Sequence, residues 1–191
     1  MQTQWAPFDL CQEDMWKHIR YLAQECPRRF SGTDNLRKAA EYITTQLRIS
    51  GVTTNLKQYF GYGSIPIWAS LRLLKPEERQ ISCIAIAYSQ NLSDGGYQLV
   101  DVGDGSEEEF HKESVSGKII LANAYAGPGT PEKARLAQSF GAIGMILVTW
   151  PTPDPELATY RAFKGIWGNP DRSAFTRIPQ ICAATVGYRD G

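Results

Sequence analysis

Residues 116–148 combine two apolar runs with a helical stretch between them: SGKIILA at 116–122, TPEKARLA at 130–137 and FGAIGMILV at 140–148. The two outer runs are apolar enough for buried strands. The middle run follows a Gly/Pro loop and ends at a glycine, as helices often do. We therefore predict a β-α-β unit in this part of the chain.

The ends of the predicted helix have local physical causes. Pro131 fits the first helical position, where its missing N–H group would have no partner. Thr130 precedes it and is the predicted cap of the free amides. Gly141 can adopt the left-handed conformation that closes a helix.

An amphipathic helix is predicted near the N-terminus. Asp9 is its candidate N-cap, and Pro27 ends it because a residue before proline avoids the helical region. The apolar residues that recur at helical spacing are Met15, Ile19, Leu22 and Cys26.

A second helix follows, and after it a half-buried strand. Thr33 or Ser31 is the predicted N-cap of this helix, and Gly51 is its predicted end. Alternation over Val52–Phe60 then predicts a strand. The apolar stripe of the helix consists of Leu36, Ala40, Ile43 and Leu47.

The composition changes at Gly61–Ser64, which predicts a boundary between two parts. The fold class is therefore α/β, with a helix pair plus one strand in residues 1–60 and a mixed, strand-rich domain in residues 61–191. Besides the β-α-β unit, the second part contains predicted strands at 68–74, 81–88, 97–102 and 178–184, and a short helix at 107–113.

The bulk composition excludes several functional classes. The chain has 191 residues, 42% of them hydrophobic, with 20 basic and 20 acidic residues. The balanced charge argues against nucleic acid as a partner, and no apolar run approaches the roughly 20 residues that span a bilayer. The N-terminus has no pattern of a secretion signal and the four cysteines are scattered, which predicts reduced thiols and a cytoplasmic location.

Two segments together resemble one peptidase family. Helix, Arg28-Arg29-Phe30-Ser31-Gly32-Thr33, helix and strand resemble the N-terminal opening of the co-catalytic zinc aminopeptidases, the group of aminopeptidase Y and glutamate carboxypeptidase. The second segment begins at Val115-Ser116-Gly117-Lys118, continues through Gly141-Ala142-Ile143-Gly144 and ends at Ile178–Gly191. It is similar to the protease-associated domain often inserted into those enzymes. The resemblance thus assigns residues 1–60 to a peptidase-like domain and residues 61–191 to a protease-associated-like domain.

The resemblance implies a zinc site in the parent protein but not in this chain. Members hold two zinc ions with histidines and carboxylates, and a glutamate acts as general base. The chain has only His18 and His111, with no H-x-x-x-H, H-E-x-x-H or C-x-x-C pattern. We therefore expect no catalytic, metal-binding or cofactor-binding residues here, an inactive chain, and zinc in a peptidase core that this sequence lacks.

One loop carries aromatic and basic side chains that could meet a partner. If exposed, its aromatic residues would form a partner surface or a lid over a substrate cleft; if buried, they would form a satellite core. The basic residues could bind a substrate carboxylate. The candidate residues are Trp150, Tyr160, Arg161, Phe163, Lys164 and Trp167, with Arg172 nearby.

Other motifs have simpler structural explanations. The Gly127–Thr130 loop lacks P-loop spacing, so turn and cap chemistry accounts for it. The aspartates at 94 and 101–104 lack the spacing of a calcium loop and are predicted in hairpin turns. Cys83 and Cys182 lie in apolar strand candidates, where thiols are usually inert.

The leading hypothesis is a non-catalytic N-terminal and accessory part of a zinc-dependent aminopeptidase-like protein. It would cover the active site or mediate substrate and protein contacts, with a peptide substrate or a protein as partner. The alternative is a stand-alone interaction module for proteins or peptides without peptidase activity. Neither hypothesis involves nucleic acid or a membrane, and both leave a homo-oligomer open.

Overall fold

The computed structural model describes residues 11–58, 61, 63–163 and 177–191. The chain divides into two compact units, Met1–Tyr59 and Phe60–Gly191. No helix in these described ranges is both long and apolar enough to cross a membrane.

The first unit contains two helices. Helix α1 spans Gln12–Arg20 and continues into a π-helical turn at Tyr21–Glu25, so the predicted stop before Pro27 is confirmed. Cys11 is the N-cap of α1, without a side-chain hydrogen bond, whereas the predicted cap Asp9 lies outside the described residues.

Helix α2 spans Asp34–Ile49, and both of its predicted boundaries are confirmed. The Oγ1 atom of Thr33 accepts a hydrogen bond from the Leu36 amide at 3.3 Å, which satisfies one of the free donors of the first turn. Gly51 follows the helix with a φ of +79°, a conformation that glycine adopts without a steric penalty.

We expect Thr33→Ala to weaken the first turn of α2 by about 1 kcal/mol, because the Leu36 amide loses its acceptor. Hydrogen exchange of that amide should accelerate about fivefold. Ser31→Ala is the matched control and should leave the exchange rate unchanged; equal acceleration in both variants would contradict the assignment of Thr33 as the cap.

The predicted strand at Val52–Phe60 is wrong over its described part. Residues 52–58 form no strand, and the last two residues of the prediction lie outside the described ranges. An alternating pattern forms a strand only when another strand supplies hydrogen-bond partners. The described residues offer no such partner to this segment.

The second unit is built on a five-stranded mixed sheet. Its strands are β3 (Cys83–Ala85), β4 (Leu99–Asp101), β5 (Ile119–Asn123), β6 (Gly144–Val148) and β7 (Cys182–Val186), in the spatial order β3-β7-β6-β5-β4. Strands β4 to β7 pair in parallel, and β3 pairs antiparallel with β7. The predicted α/β class, with helices followed by a mixed, strand-rich sheet, is confirmed.

A separate two-stranded antiparallel sheet precedes the main sheet. It pairs β1 (Leu71–Leu73) with β2 (Arg79–Ile81). The single strand predicted over 81–88 is therefore wrong, since Ile81 pairs in this small sheet whereas β3 pairs with β7 in the large one. The chain changes sheets at Ser82.

The hairpin predicted at 101–104 is also wrong. Strand β4 pairs in parallel with β5, and parallel neighbours need a crossover rather than a hairpin. Helix α3 (Glu107–Lys112), whose existence the sequence predicted, forms part of this crossover.

The β-α-β unit β5–α4–β6 is present as predicted, with one correction. Helix α4 spans Thr130–Ser139, and Gly129 rather than Thr130 is its N-cap. Pro131 is therefore the second helical residue rather than the first, still within the first turn, and Gly141 closes the helix with a φ of +80°.

The main hydrophobic core lies between the large sheet and helices α3 and α4. Phe110 of α3, Leu136 of α4 and Leu147 of β6 are among its buried members. A smaller cluster on Ile81, Ile146 and Val186 links the two sheets. The core holds the strands in register, so the positions beyond their carboxyl ends are well defined.

Candidate functional site

Three aromatic residues lie at equivalent positions beyond the parallel strands. Asn123, Val148 and Val186 are paired across β5, β6 and β7. Tyr125, Trp150 and Tyr188 each follow two positions later, and all three are exposed. The carboxyl edge of a parallel sheet is the usual position of ligand sites in open α/β folds.

Tyr125 and Trp150 contact each other at this edge. Their rings meet edge to face with centroids 6.0 Å apart, and they remain 50% and 58% exposed. The Asn123 Oδ1 atom accepts hydrogen bonds from the amides of Tyr125 at 2.8 Å and Ala126 at 2.9 Å, which fixes the turn that carries the tyrosine.

Arg161 lies over the Tyr125 ring, with its guanidinium carbon 4.3 Å from the ring centroid. This distance is within the range of a cation–π interaction. The Nη1 atom of Arg161 donates to the Thr130 Oγ1 atom at 3.1 Å, and the Arg161 carbonyl accepts from the Ala87 amide at 2.9 Å. The arginine is therefore held from both its backbone and its head group.

The side chains around Tyr125 lower the pKa of its phenol. The neighbouring Thr159 lowers this pKa most, and Arg161 lowers it further through its positive charge. Both groups favour the phenolate.

We expect Thr159→Val to raise the pKa of Tyr125 more than Arg161→Gln does, because Thr159 is the larger cause of the shift. The chain has 9 tyrosines, so the signal of Tyr125 must be separated from the others. An ultraviolet pH titration of each protein, minus that of the same protein with Tyr125→Phe, gives the titration of this phenol alone. If Tyr125 titrated in both variants as it does in the parent protein, neither Thr159 nor Arg161 would be a cause of its lowered pKa.

Beside this surface lies a buried lysine. Lys133 of α4 is fully buried, and its Nζ atom donates to the carbonyl oxygens of Ala126 and Pro128. Burial lowers its pKa, whereas the charge of Asp104 acts in the opposite direction. The pKa of Asp104 is itself lowered, mainly by a hydrogen bond from Ser106.

This lysine explains the Gly127–Thr130 loop without a ligand. Carbonyl oxygens of this loop accept hydrogen bonds from the buried ammonium group of Lys133. The conformation of the loop therefore serves to bind this lysine. The prediction that turn chemistry, rather than a bound phosphate, explains this loop agrees with these contacts. The side chain of Thr130, which was the predicted helix cap, instead accepts a hydrogen bond from Arg161.

The structure separates the aromatic residues that the sequence placed in one loop. Trp150 and Tyr160 are exposed, and the Tyr160 hydroxyl donates to the Ser64 carbonyl at 3.3 Å. Phe163 is 1% exposed and belongs to the main core. Lys164, Trp167 and Arg172 lie outside the described residues.

Tyr125 and Tyr188 were missed by the sequence analysis. The available signal was their position just after predicted apolar strands, because parallel strands bring such positions to one edge. Using this signal requires knowing that the strands run parallel, which the sequences of the individual strands do not specify.

The remaining candidate groups have structural contacts. The His18 Nδ1 atom is hydrogen-bonded to the Tyr42 hydroxyl at 2.8 Å, and the His111 ring packs edge-on against Phe140. The thiols of Cys83 and Cys182 are free, and burial raises the pKa of both. Within the described ranges, no three His, Cys, Asp or Glu side chains are grouped to hold a metal ion.

Solved structures of aminopeptidases have a similar fold. The chain superimposes on an aminopeptidase from Aneurinibacillus sp. strain AM-1 with a TM-score of 0.60 and 24% identity, over 94% of this chain and 39% of that one. For BSAP, a zinc aminopeptidase from Bacillus subtilis, the TM-score is 0.60 with 20% identity, over 93% of this chain and 39% of that one.

A third similar structure is a peptidase M28 precursor from Shewanella amazonensis SB2B. Its TM-score is 0.58 with 15% identity, over 92% of this chain and 41% of that one. The chain thus spans about two fifths of the length of these proteins. No curated protein matches it. The PA domain family model matches residues 86–191, which is more than half of the sequence, and the chain therefore belongs to the PA domain family.

Proposed function

We propose that this chain is the non-catalytic N-terminal and accessory part of a zinc-dependent aminopeptidase-like protein. Its PA domain would cover the active site or contact substrates and proteins. The first unit would complete the peptidase fold. Zinc and the general base would come from residues outside this sequence.

The observation that carries the proposal is the exposed apolar face of the first unit. Leu36, Ile43 and Leu47 form one stripe along α2, yet they are 38%, 44% and 41% exposed. The only fully buried hydrophobic residues in the described part of this unit are Cys26 and Ala39. An amphipathic helix normally buries such a stripe against other elements of its fold.

The comparisons with solved structures also support the proposal that this chain is part of a larger peptidase-like protein. The similar aminopeptidase structures are longer than this chain, and the likeness extends over both units. An apolar face that is exposed here would then pack against peptidase residues absent from this sequence.

Two zinc ions need several converging nitrogen and oxygen ligands, and the described part of the chain supplies no such group. We therefore derive no catalytic step for these residues. The aromatic carboxyl edge of the PA domain is instead suited to contact a peptide.

Two measurements on the purified chain test the proposal. We expect neither hydrolysis of an aminoacyl p-nitroanilide after addition of zinc nor stoichiometric zinc by elemental analysis. Robust hydrolysis that is specific to the chain would overturn the non-catalytic assignment.

A fluorescent apolar dye tests the exposed face. We expect the dye to bind the native chain, and the double variant Ile43→Gln, Leu47→Gln to lose most of this signal without a lower melting temperature. The exposed pair Glu41→Gln, Arg48→Gln is the matched control on the same helix. A large loss of stability in the apolar variant would mean that the stripe is already packed, which would overturn the argument.

A further inference from the structure

We infer that Tyr125, Trp150 and Arg161 form a binding surface for the carboxylate of an extended peptide. This aromatic–arginine surface lies at the carboxyl edge of the large sheet. The inference rests on the proposed function, because it names the ligand class that the PA domain would contact.

The charge of Arg161 has no carboxylate partner among the described residues. The other arginines and lysines that form ion pairs there reach an aspartate or glutamate, whereas Arg161 contacts a hydroxyl and an aromatic ring. Its Nε atom is buried without a hydrogen-bond partner. A guanidinium group has five N–H donors and binds a carboxylate in a bidentate manner, so donors remain for a ligand.

The electrostatic surroundings also favour an anion. Lys133 is close enough for its positive charge to act together with that of Arg161. Asp104 faces Lys133 and offsets only one of these two charges. A peptide carboxylate would supply the second negative charge.

The surface is ordered before a ligand binds. Asn123 holds the turn of Tyr125, Thr130 holds the guanidinium group, and Ala87 holds the Arg161 backbone. Preorganisation reduces the entropy lost on binding. Rigid aromatic residues beside an arginine are also the residue types that dominate the affinity of protein interfaces.

The shape and composition favour a peptide over other anions. The chain carries no net charge, and this balance does not favour the polyanionic backbone of a nucleic acid as the ligand. Half-exposed Tyr125 and Trp150 can pack against apolar peptide atoms while Arg161 meets the carboxylate.

Isothermal titration calorimetry with two peptides tests this inference. Both are N-acetylated hexapeptides with uncharged side chains, one with a free C-terminal carboxylate and one with a C-terminal amide. The acetyl group protects them from aminopeptidases, so binding is measured apart from hydrolysis. We expect the carboxylate form to bind about tenfold more tightly, the difference made by one charge-assisted hydrogen-bonded contact.

Substitutions identify the residues that cause the preference for the carboxylate peptide. Arg161→Gln should abolish the tenfold difference in affinity between the two peptides, whereas Arg161→Lys should retain part of it. Trp150→Ala should weaken the binding of both peptides. Arg189→Gln is the matched control, because this exposed arginine already pairs with Glu156, and it should change neither affinity.

Two results would overturn the inference: equal binding of the two peptides, or no measurable binding of either. An equal loss in Arg161→Gln and Arg189→Gln would do the same, since it would indicate a general charge effect. None of these results affects the proposed accessory function, whose failure would appear as hydrolysis in the separate activity assay.

Discussion

Gly127→Ala is expected to reduce the free energy of unfolding by about 2–5 kcal/mol. Two independent effects add at this position. Its φ of +64° is a left-handed conformation that alanine adopts only with strain. A Cβ atom would also lie 2.5 Å from the Asp104 carbonyl oxygen, a backbone atom that cannot rotate away.

Gly117→Ala provides the matched control. Gly117 has a similar φ of +72° but open space where a Cβ atom would lie, so we expect only the conformational cost of about 1–2 kcal/mol. Urea denaturation of the parent protein and both variants measures the two costs. Equal destabilisation would mean that the close approach of Gly127 to Asp104 is absent.

Lys133→Ala is expected to destabilise the PA domain by about 3 kcal/mol or more. The substitution opens a cavity beside Gly105 and leaves the carbonyl oxygens of Ala126 and Pro128 without their donor. Lys133→Met keeps most of the side-chain volume and removes a buried charge, so its cost should be smaller, about 1–3 kcal/mol. Lys112→Ala, at an exposed ion pair with Glu109, should change stability by less than about 1 kcal/mol.

The same lysine predicts a pH dependence. Because burial lowers its pKa in the folded protein, the unfolded chain binds more protons than the folded chain between that lowered pKa and the ordinary value of 10.5. The free energy of unfolding of the parent protein, minus that of Lys133→Met, should therefore rise with pH between these two values. The difference between the two denaturation curves, measured at a series of pH values up to 10.5, checks this sign. A difference that falls as the pH rises would contradict a buried, charged lysine.

The β-α-β unit was predictable because most of its boundaries have local causes. Pro131 and Gly141 impose backbone conformations on themselves. Gly141 closes the helix as predicted, and Pro131 lies in the first turn, one position later than predicted. The cap at Thr130 was wrong for a reason that is not local. Gly129 takes the extended conformation of the N-cap, and the Thr130 hydroxyl accepts a hydrogen bond from Arg161, which lies 31 positions later.

Burial of the candidate loop residues depended on distant pairing. Phe163 and Trp150 are both aromatic and lie in neighbouring segments, so composition could not separate them. The Phe163 amide donates to the Ala87 carbonyl, which fixes this phenylalanine beside the core. Trp150 follows β6 at the edge of the sheet and stays exposed. The sequence analysis therefore named Trp150 and Arg161 among its candidates, but it did not predict that Tyr125 lies beside them or that Phe163 is buried.

The segment at 52–58 illustrates the same limit for strands. Its alternation of apolar and polar residues was real, but the pattern predicts only which face a strand would bury. Pairing needs a neighbour, and the described residues supply none. Helices satisfy their own backbone groups, and the two helices of this unit were accordingly the easier elements to predict.

The position of β3 in the sheet has a consequence for biosynthesis. Ile84 of β3 pairs with Thr185 of β7, 101 positions further along the chain. Until β7 has been synthesised, β3 has no strand to pair with, and its unpaired backbone N–H and C=O groups can form hydrogen bonds with other nascent chains. The large sheet can therefore be completed only after β7 has been translated, and a contact between such distant parts of the chain slows folding and prolongs the exposure of unpaired strand edges.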